Sequence, residues 1–88
     1  MAEHFPEVMN YTVYILEDKE GKHYNGITNN LSRRLKEHRS GHTQTTRKMR
    51  ELRVIYTEET ESRAEARKRE LYLKSAAGRR FLKKILSR

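Results

Sequence analysis

No cysteine occurs among the 88 residues, so disulfide staples and thiolate zinc sites are excluded. Long apolar runs are also missing. Nothing approaches the ~18–20 residues that a membrane-spanning helix needs, and the reading is of a protein without membrane attachment. Hydrophobic residues are scarce at 34% against 36% charged. A domain of this size buries only roughly 60–65% of the surface its unfolded chain exposes. Its core must be thin and most of its charges must stay in water. Met1–Asn10 has neither a basic start nor an apolar stretch. It reads as a short flexible leader (1–10) ahead of a single domain (11–88), with a reducing cytoplasm as the expected compartment.

Acid is scarce after the first twenty residues. Residues 1–20 carry one base (Lys19) against five acids, a net of −4, whereas residues 21–88 carry 19 bases against seven acids, a net of +12. Such a balance points to a polyanionic partner, because each Lys or Arg set against a phosphate releases counterions. A small basic protein that gains only solubility from its charge has the same composition.

Tyr11–Leu16 is rich in β-branched and aromatic residues and predicts a strand. The polar stretch through Gly21 predicts a turn, and His23–Ile27 a returning strand that completes a hairpin. Asn29 and Asn30 are suited to cap a helix over Leu31–Arg39 that ends at Gly41, with Leu31 and Leu35 as its apolar stripe. Leu52–Thr57 predicts a third strand. Ser62 and Glu65 fit a capping box, opening a helix to about Lys74. Gly78 is expected to break the chain before a last helix, Arg79–Leu86, with Phe81, Leu82, Ile85 and Leu86 on one side. The fold class is α+β: a three-stranded, mainly antiparallel sheet flanked by helices.

Several polar residues fall where a purely structural protein has no need of them. Tyr14 and Tyr24 lie on the two strands of the hairpin and can approach across the ladder. Arg34 and His38 are four apart and share a helix face. Glu70 falls on the same helix face as Ala66, Leu73 and Ala77, and an inward carboxylate needs a cationic partner, whether Arg, Lys or a metal ion. Together they form a kit for phosphodiester hydrolysis. A single Glu can hold one hard divalent cation with waters and phosphate completing the shell. An Arg clamps charge at phosphorus. A Tyr hydroxyl holds or deprotonates water if nearby positive charge lowers its pKa from ~10.

Thr12-Val13-Tyr14, Tyr24-Asn25-Gly26-Ile27-Thr28, Asn30 to His38 and Glu65 to Glu70 together resemble the GIY-YIG nuclease domain, closest to its small stand-alone bacterial members. The ten-residue step from Tyr24 to Arg34, the His four residues later and the Glu on a later helix are that family's usual spacing. The resemblance implies one tyrosine as general base or water-positioner and the other as a shaper of the site. It implies Gly26 as the close-packing glycine, Arg34 as phosphate clamp, Glu70 as the single ligand of Mg²⁺ or Mn²⁺, and His38 as a helper contacting tyrosine or phosphate. Thr-Val stands where the family has Gly-Ile, and Asn25 where it has Ile or Val. Some members carry an Asn after the Glu helix, where this chain offers Lys74 or Ser75.

The expected activity is metal-dependent DNA endonuclease, with duplex or branched DNA as substrate, RNA as a further candidate, and a protein partner as one source of specificity. The rival reading is a nucleic-acid-binding protein of the same fold that does not cut. Arg33, Arg47, Lys48, Arg50, Arg67 and Lys74 are the candidate contacts to the nucleic-acid backbone. The loop holding Thr45, Thr46, Arg47, Lys48 and Arg50 reads equally as a backbone-tracking segment and as a solvated loop.

Overall fold

The structure, a computed structural model, describes residues 10–41, 46 and 48–86. Arg47 and residues 1–9 of the expected leader lie outside the described residues. The elements run β1 (Tyr11–Glu17), β2 (His23–Thr28), α1 (Leu31–Arg39), β3 (Arg53–Thr60), α2 (Arg63–Lys74) and α3 (Ala76–Leu86). The sheet has the order β2-β1-β3 and both pairings are antiparallel, as the α+β reading expects.

The central strand, β1, is buried from Val13 to Glu17 and shared between two cores. Side chains alternate across a strand. Val13 and Ile15 pack with Ala66, Leu73 and Leu82 of α2 and α3, whereas Tyr14 and Leu16 pack with Leu52, Tyr24, Leu31 and Leu35. Each fully buried Ile or Leu in such a core contributes about 1.5–3 kcal/mol. Helices therefore cover both faces of a sheet whose two edges are β2 and β3.

Local chemistry sets the boundaries. In the β1–β2 turn, Asp18 Oδ1 accepts from the backbone N–H of Glu20 (2.9 Å) and Lys22 (2.8 Å), and Gly21 supplies the positive φ of 85°. Asn30 caps α1 by accepting from Arg33 N–H, and Ser62 caps α2 by accepting from Glu65 N–H. Gly41, at φ 81°, follows α1 as expected. The third strand starts at Arg53 and runs three residues beyond the expected Thr57.

Three expectations about the C-terminal third need correction. Gly78 does not break the chain; it sits in the first turn of α3. Its missing side chain has a packing purpose, since a Cβ there would collide with the Tyr72 carbonyl and the Leu73 Cα of α2. The helix reversal occurs three residues earlier at Ser75, whose hydroxyl donates to Tyr72 O (2.5 Å) and accepts from Gly78 N–H (3.1 Å). Ala77 belongs to α3 and is exposed, so it does not line the inner face of α2. Ile85 is 44% exposed, which narrows the inner side of α3 to Leu82 with Phe81 and Leu86 partly covered.

Basic residues also sort by edge. Arg69, one of the cations of this region, is tied to Glu58 at 2.7 Å and lies over the Tyr72 ring at 4.8 Å, so it braces α2 against β3. The cavity beside it, on the β3 edge, is lined by Glu58, Glu59, Glu61 and Glu65 with Lys68 and Arg69.

Gly78→Ala tests the corner. With backbone on the opposing side there is little room for adjustment, and we expect a loss of about 1–3 kcal/mol in urea-unfolding stability. A change near zero would show that α2 and α3 are not in close contact there.

Candidate active site

The β1–β2 register sets Tyr14 opposite Gly26 and Leu16 opposite Tyr24. The Tyr14 ring lies across Gly26, where a Cβ would come within 2.5 Å of the phenol oxygen. Only glycine fits beneath it, which is the close packing the sequence motif implied. Tyr14 is fully buried, and its hydroxyl is 2.8 Å from His38 Nε2. The other ring nitrogen, Nδ1, is 2.8 Å from Thr46 Oγ1. Tyr24 completes an aromatic cluster, its ring centroid 4.9 Å from that of His38 and 6.3 Å from that of Tyr14.

Arg34, one turn before His38, is held by Glu37 at 2.7 Å, and its charge lies close enough to Tyr14 to act on the phenol. Glu37 also pairs with Arg33 at 3.6 Å. Burial pushes the Tyr14 phenol above its usual 10.0, and the pull of Arg34 reverses only part of that rise. Burial, then Arg34, lowers His38 below 6.5, so its ring is uncharged at neutral pH. The expectation of a tyrosine acidified by nearby cations is therefore not met at Tyr14.

Glu70 points inward as its helical position required and is 6% exposed. Its Oε1 is 2.7 Å from Arg67 and its Oε2 3.1 Å from Lys74. Burial alone would raise its carboxyl, but the hydrogen bonds from these two cations outweigh it and hold it below 4.5. Among the described residues neither tyrosine, Arg34 nor His38 bonds to Glu70. The connection is a cavity of about 390 Å³ on the β2 edge, lined by His23, Tyr24, Asn25, Leu73, Lys74, Arg79 and Leu82. Tyr24 and the Lys74 bound to Glu70 thus face the same space. Lys48 and Arg50 line a second cavity, also bordered by Tyr24, that contains Asp18 and Glu20.

The structure thus groups Tyr14, Tyr24, Arg34 and His38, with Gly26 beneath, and leaves Glu70 outside the group, its partner Lys74 lining the cavity that Tyr24 also lines. Sequence reading did not single out Thr46, Glu37 or Arg79 individually. Glu37 had a signal in its three-residue spacing from Arg34. Thr46 had none, because it stands in a stretch without periodicity.

Comparison with known proteins fits this arrangement. The profile of the GIY-YIG catalytic domain matches residues 10–84. The chain belongs to the GIY-YIG family. It is 40% identical over 81 residues to a UPF0213 protein of Clostridium perfringens, covering 91% of this chain and 86% of that one. It is 41% identical over 64 residues to one of Desulfotalea psychrophila, covering 70% of this chain and 58% of that one. The solution NMR structure of a UPF0213 protein from Bacillus halodurans superimposes with a TM-score of 0.55 at 36% identity, covering 88% of this chain and 85% of that one.

GIY-YIG domains form a nuclease superfamily whose members generally use divalent metals. Of the candidate residues, Glu70 is the carboxylate that could hold such an ion. One hard oxygen ligand fits Mg²⁺ or Mn²⁺, the remaining positions going to water and phosphate oxygens. Among the described residues no three His, Cys, Asp or Glu side chains cluster as a self-contained metal cage. The two cations now on Glu70 are 59% and 50% exposed, one on each carboxylate oxygen.

The displaced pKa values define a stability window. His38, Glu58 and Glu70 titrate below their ordinary 6.5, 4.5 and 4.5, so their contribution is complete above those values and is lost as pH falls through the lowered ones. Tyr14 and Tyr56 titrate above 10.0, so theirs is complete below 10.0 and is lost as pH rises further. Urea midpoints should be flat between 6.5 and 10.0 and fall on both sides. A midpoint still climbing as pH drops below 6 would contradict the neutral, buried His38.

Proposed function

We propose that this protein is a metal-dependent endonuclease acting on DNA phosphodiester bonds. Tyr24 is the water-handling group, Arg34 the phosphate clamp and Glu70 the metal ligand. The observation that carries the reading is the shared cavity: Tyr24, half-buried, faces it from β2, and Lys74, bonded to Glu70, faces it from α2. A phosphate entering there meets a phenol on one side and, on the other, the Lys74 ammonium that covers Glu70.

The choice between tyrosines follows from exposure. Tyr14 has no surface in contact with solvent, and burial raises its pKa. It is suited to hold other groups in place. Tyr24 can touch a water. A divalent ion at Glu70 would supply Lewis-acid polarisation of the phosphoryl oxygen. Arg34, held by Glu37, offers its guanidinium to the charge that grows on the phosphate. His38 is 2% exposed, so its role is support of Tyr14 and not contact with phosphate.

The cavity also favours one path for the strand. No carboxylate lines it, and Lys74, Arg79 and Asn25 do. The second cavity that Tyr24 borders mixes Lys19, Lys22, Lys48 and Arg50 with Asp18 and Glu20. The first offers its cations with no carboxylate among them to repel a phosphate, and the strand is placed there. The rival reading, binding without cutting, draws on the occupied carboxylate: both Glu70 oxygens are engaged by Arg67 and Lys74.

A panel of single-stranded, duplex and branched DNA and RNA, with and without Mg²⁺ or Mn²⁺, separates the two. We expect metal-dependent cleavage of DNA that falls roughly 100- to 1,000-fold in Arg34→Ala and Glu70→Ala, and that Tyr24→Phe damages far more than Tyr14→Phe. Nucleic-acid binding without cleavage by the parent protein, or full activity in Glu70→Ala, would reject the nuclease reading. For the strand path, Arg79→Ala should weaken duplex binding and flatten the slope of log K against log salt by about 1, while Arg80→Ala leaves binding nearly unchanged. Equal effects at both positions would place the strand elsewhere.

A further inference from the structure

The cavity that Tyr24 and Lys74 line does not end at Leu82. A smaller hollow of about 240 Å³ adjoins it, lined by His23, Arg79, Leu82, Lys83 and Leu86. His23, Arg79 and Leu82 are common to both, so a strand lying in the first reaches the second without leaving the protein surface. The wall of the second is largely apolar, although three of its five residues carry nitrogen heads. Arg and Lys cover such a wall with their methylene stems and keep the charge at the rim. Helical spacing lays this out. Leu82 and Leu86 are one turn apart on α3 and form the floor, and Arg79 and Lys83, one turn apart beside them, are both exposed.

His23 supplies a ring. It stands at the start of β2 with its side chain 39% exposed. Its Nε2 is 3.1 Å from the Glu17 carboxylate, whose other oxygen is 2.6 Å from Arg53. A hydrogen bond to a ring nitrogen lies in the plane of the ring, so it fixes the imidazole by its edge and does not occupy its faces. An exposed ring beside an apolar floor and a cationic rim matches the two halves of one nucleotide, a flat base and a phosphate. The base must come from an unpaired nucleotide, because in a duplex its faces are stacked and its edge is paired. An apolar peptide would find the same floor, but its backbone brings no charge to Arg79 and Lys83.

We propose that the hollow between β2 and α3 is a nucleobase site, in which an unpaired base lies over Leu82 and Leu86 against the His23 ring while its phosphates meet Arg79 and Lys83. Such a site rests on the strand path through the Tyr24 cavity proposed above and narrows the substrate to DNA with an unpaired nucleotide. It does not require that the strand be cut.

Binding is measured without metal on two DNAs of equal length and charge: a duplex with a short single-stranded overhang, and the same DNA with one overhang nucleotide made abasic, its position scanned from the duplex end. The phosphates are identical, so the ratio of affinities reads the base alone. The intact strand should bind roughly 5- to 100-fold tighter at one position, the worth of a single stacked base. The difference should vanish in His23→Ala and in Leu86→Gln, and persist in His23→Phe, which loses the Glu17 bond as alanine does but keeps a ring. Equal affinity of the native protein for the two DNAs, or none for either, overturns the site. So does a difference that His23→Ala and Leu86→Gln leave intact, or a loss in His23→Phe as large as in His23→Ala. A dimer in sedimentation that Leu86→Gln dissociates would give the hollow to a second copy and overturn it too. Should Leu86→Gln fail to fold, the two His23 variants still decide. Absence of metal-dependent cleavage would reject the nuclease reading and leave these ratios as they are.

Discussion

One buried contact organises this molecule: the Tyr14 ring laid on Gly26 with its hydroxyl against His38. Tyr14 sits on the central strand, so its placement ties together β1, β2 and α1. Tyr24 packs its ring against that anchor, and Arg34 lies one helical turn before His38 on the same helix, held there by Glu37. A side chain at position 26 would lift the ring and disturb all of these at once. The site is thus built from the inside outward, with fully buried groups holding the half-exposed ones that face the cavity.

The alternation of β1 explains why the candidate residues fall into two groups. Even-numbered positions send Tyr14 and Leu16 toward α1, and odd-numbered positions send Val13 and Ile15 toward α2 and α3. The aromatic cluster and Arg34 lie on the first side, while the helix carrying Glu70 packs on the second. They communicate around the β2 edge, where Tyr24 and Lys74 line one cavity. That is why the carboxylate pairs with Arg67 and Lys74 and not with the tyrosine cluster.

Much of this was legible in the sequence because it depends on short-range spacing. β-Branched and aromatic residues marked β1, asparagine and serine marked the two caps, and the three- and four-residue steps put Arg34 beside His38 and turned Glu70 inward. Burial was harder to read. That Tyr14 is sealed and Tyr24 is open depends on the neighbours folded over each, and no spacing rule supplies that. Thr46 was hidden for a similar reason, since its partner lies eight residues away across a stretch with no period. Gly78 looked like a chain breaker because glycine is read first for its freedom of φ. Here it serves a steric need that exists only once α2 and α3 meet.

The two edges of the sheet differ in charge sign. The β2 edge opens on a cavity with Lys74 and Arg79 and no carboxylate, and the β3 edge on one rimmed by four glutamates. Separated by the width of three strands, the two cavities meet a charged neighbour differently: one offers cations without a carboxylate, the other four glutamates beside two cations. The contrast is local, and salt confines the reach of either cavity's charge to the ~8 Å of physiological buffer.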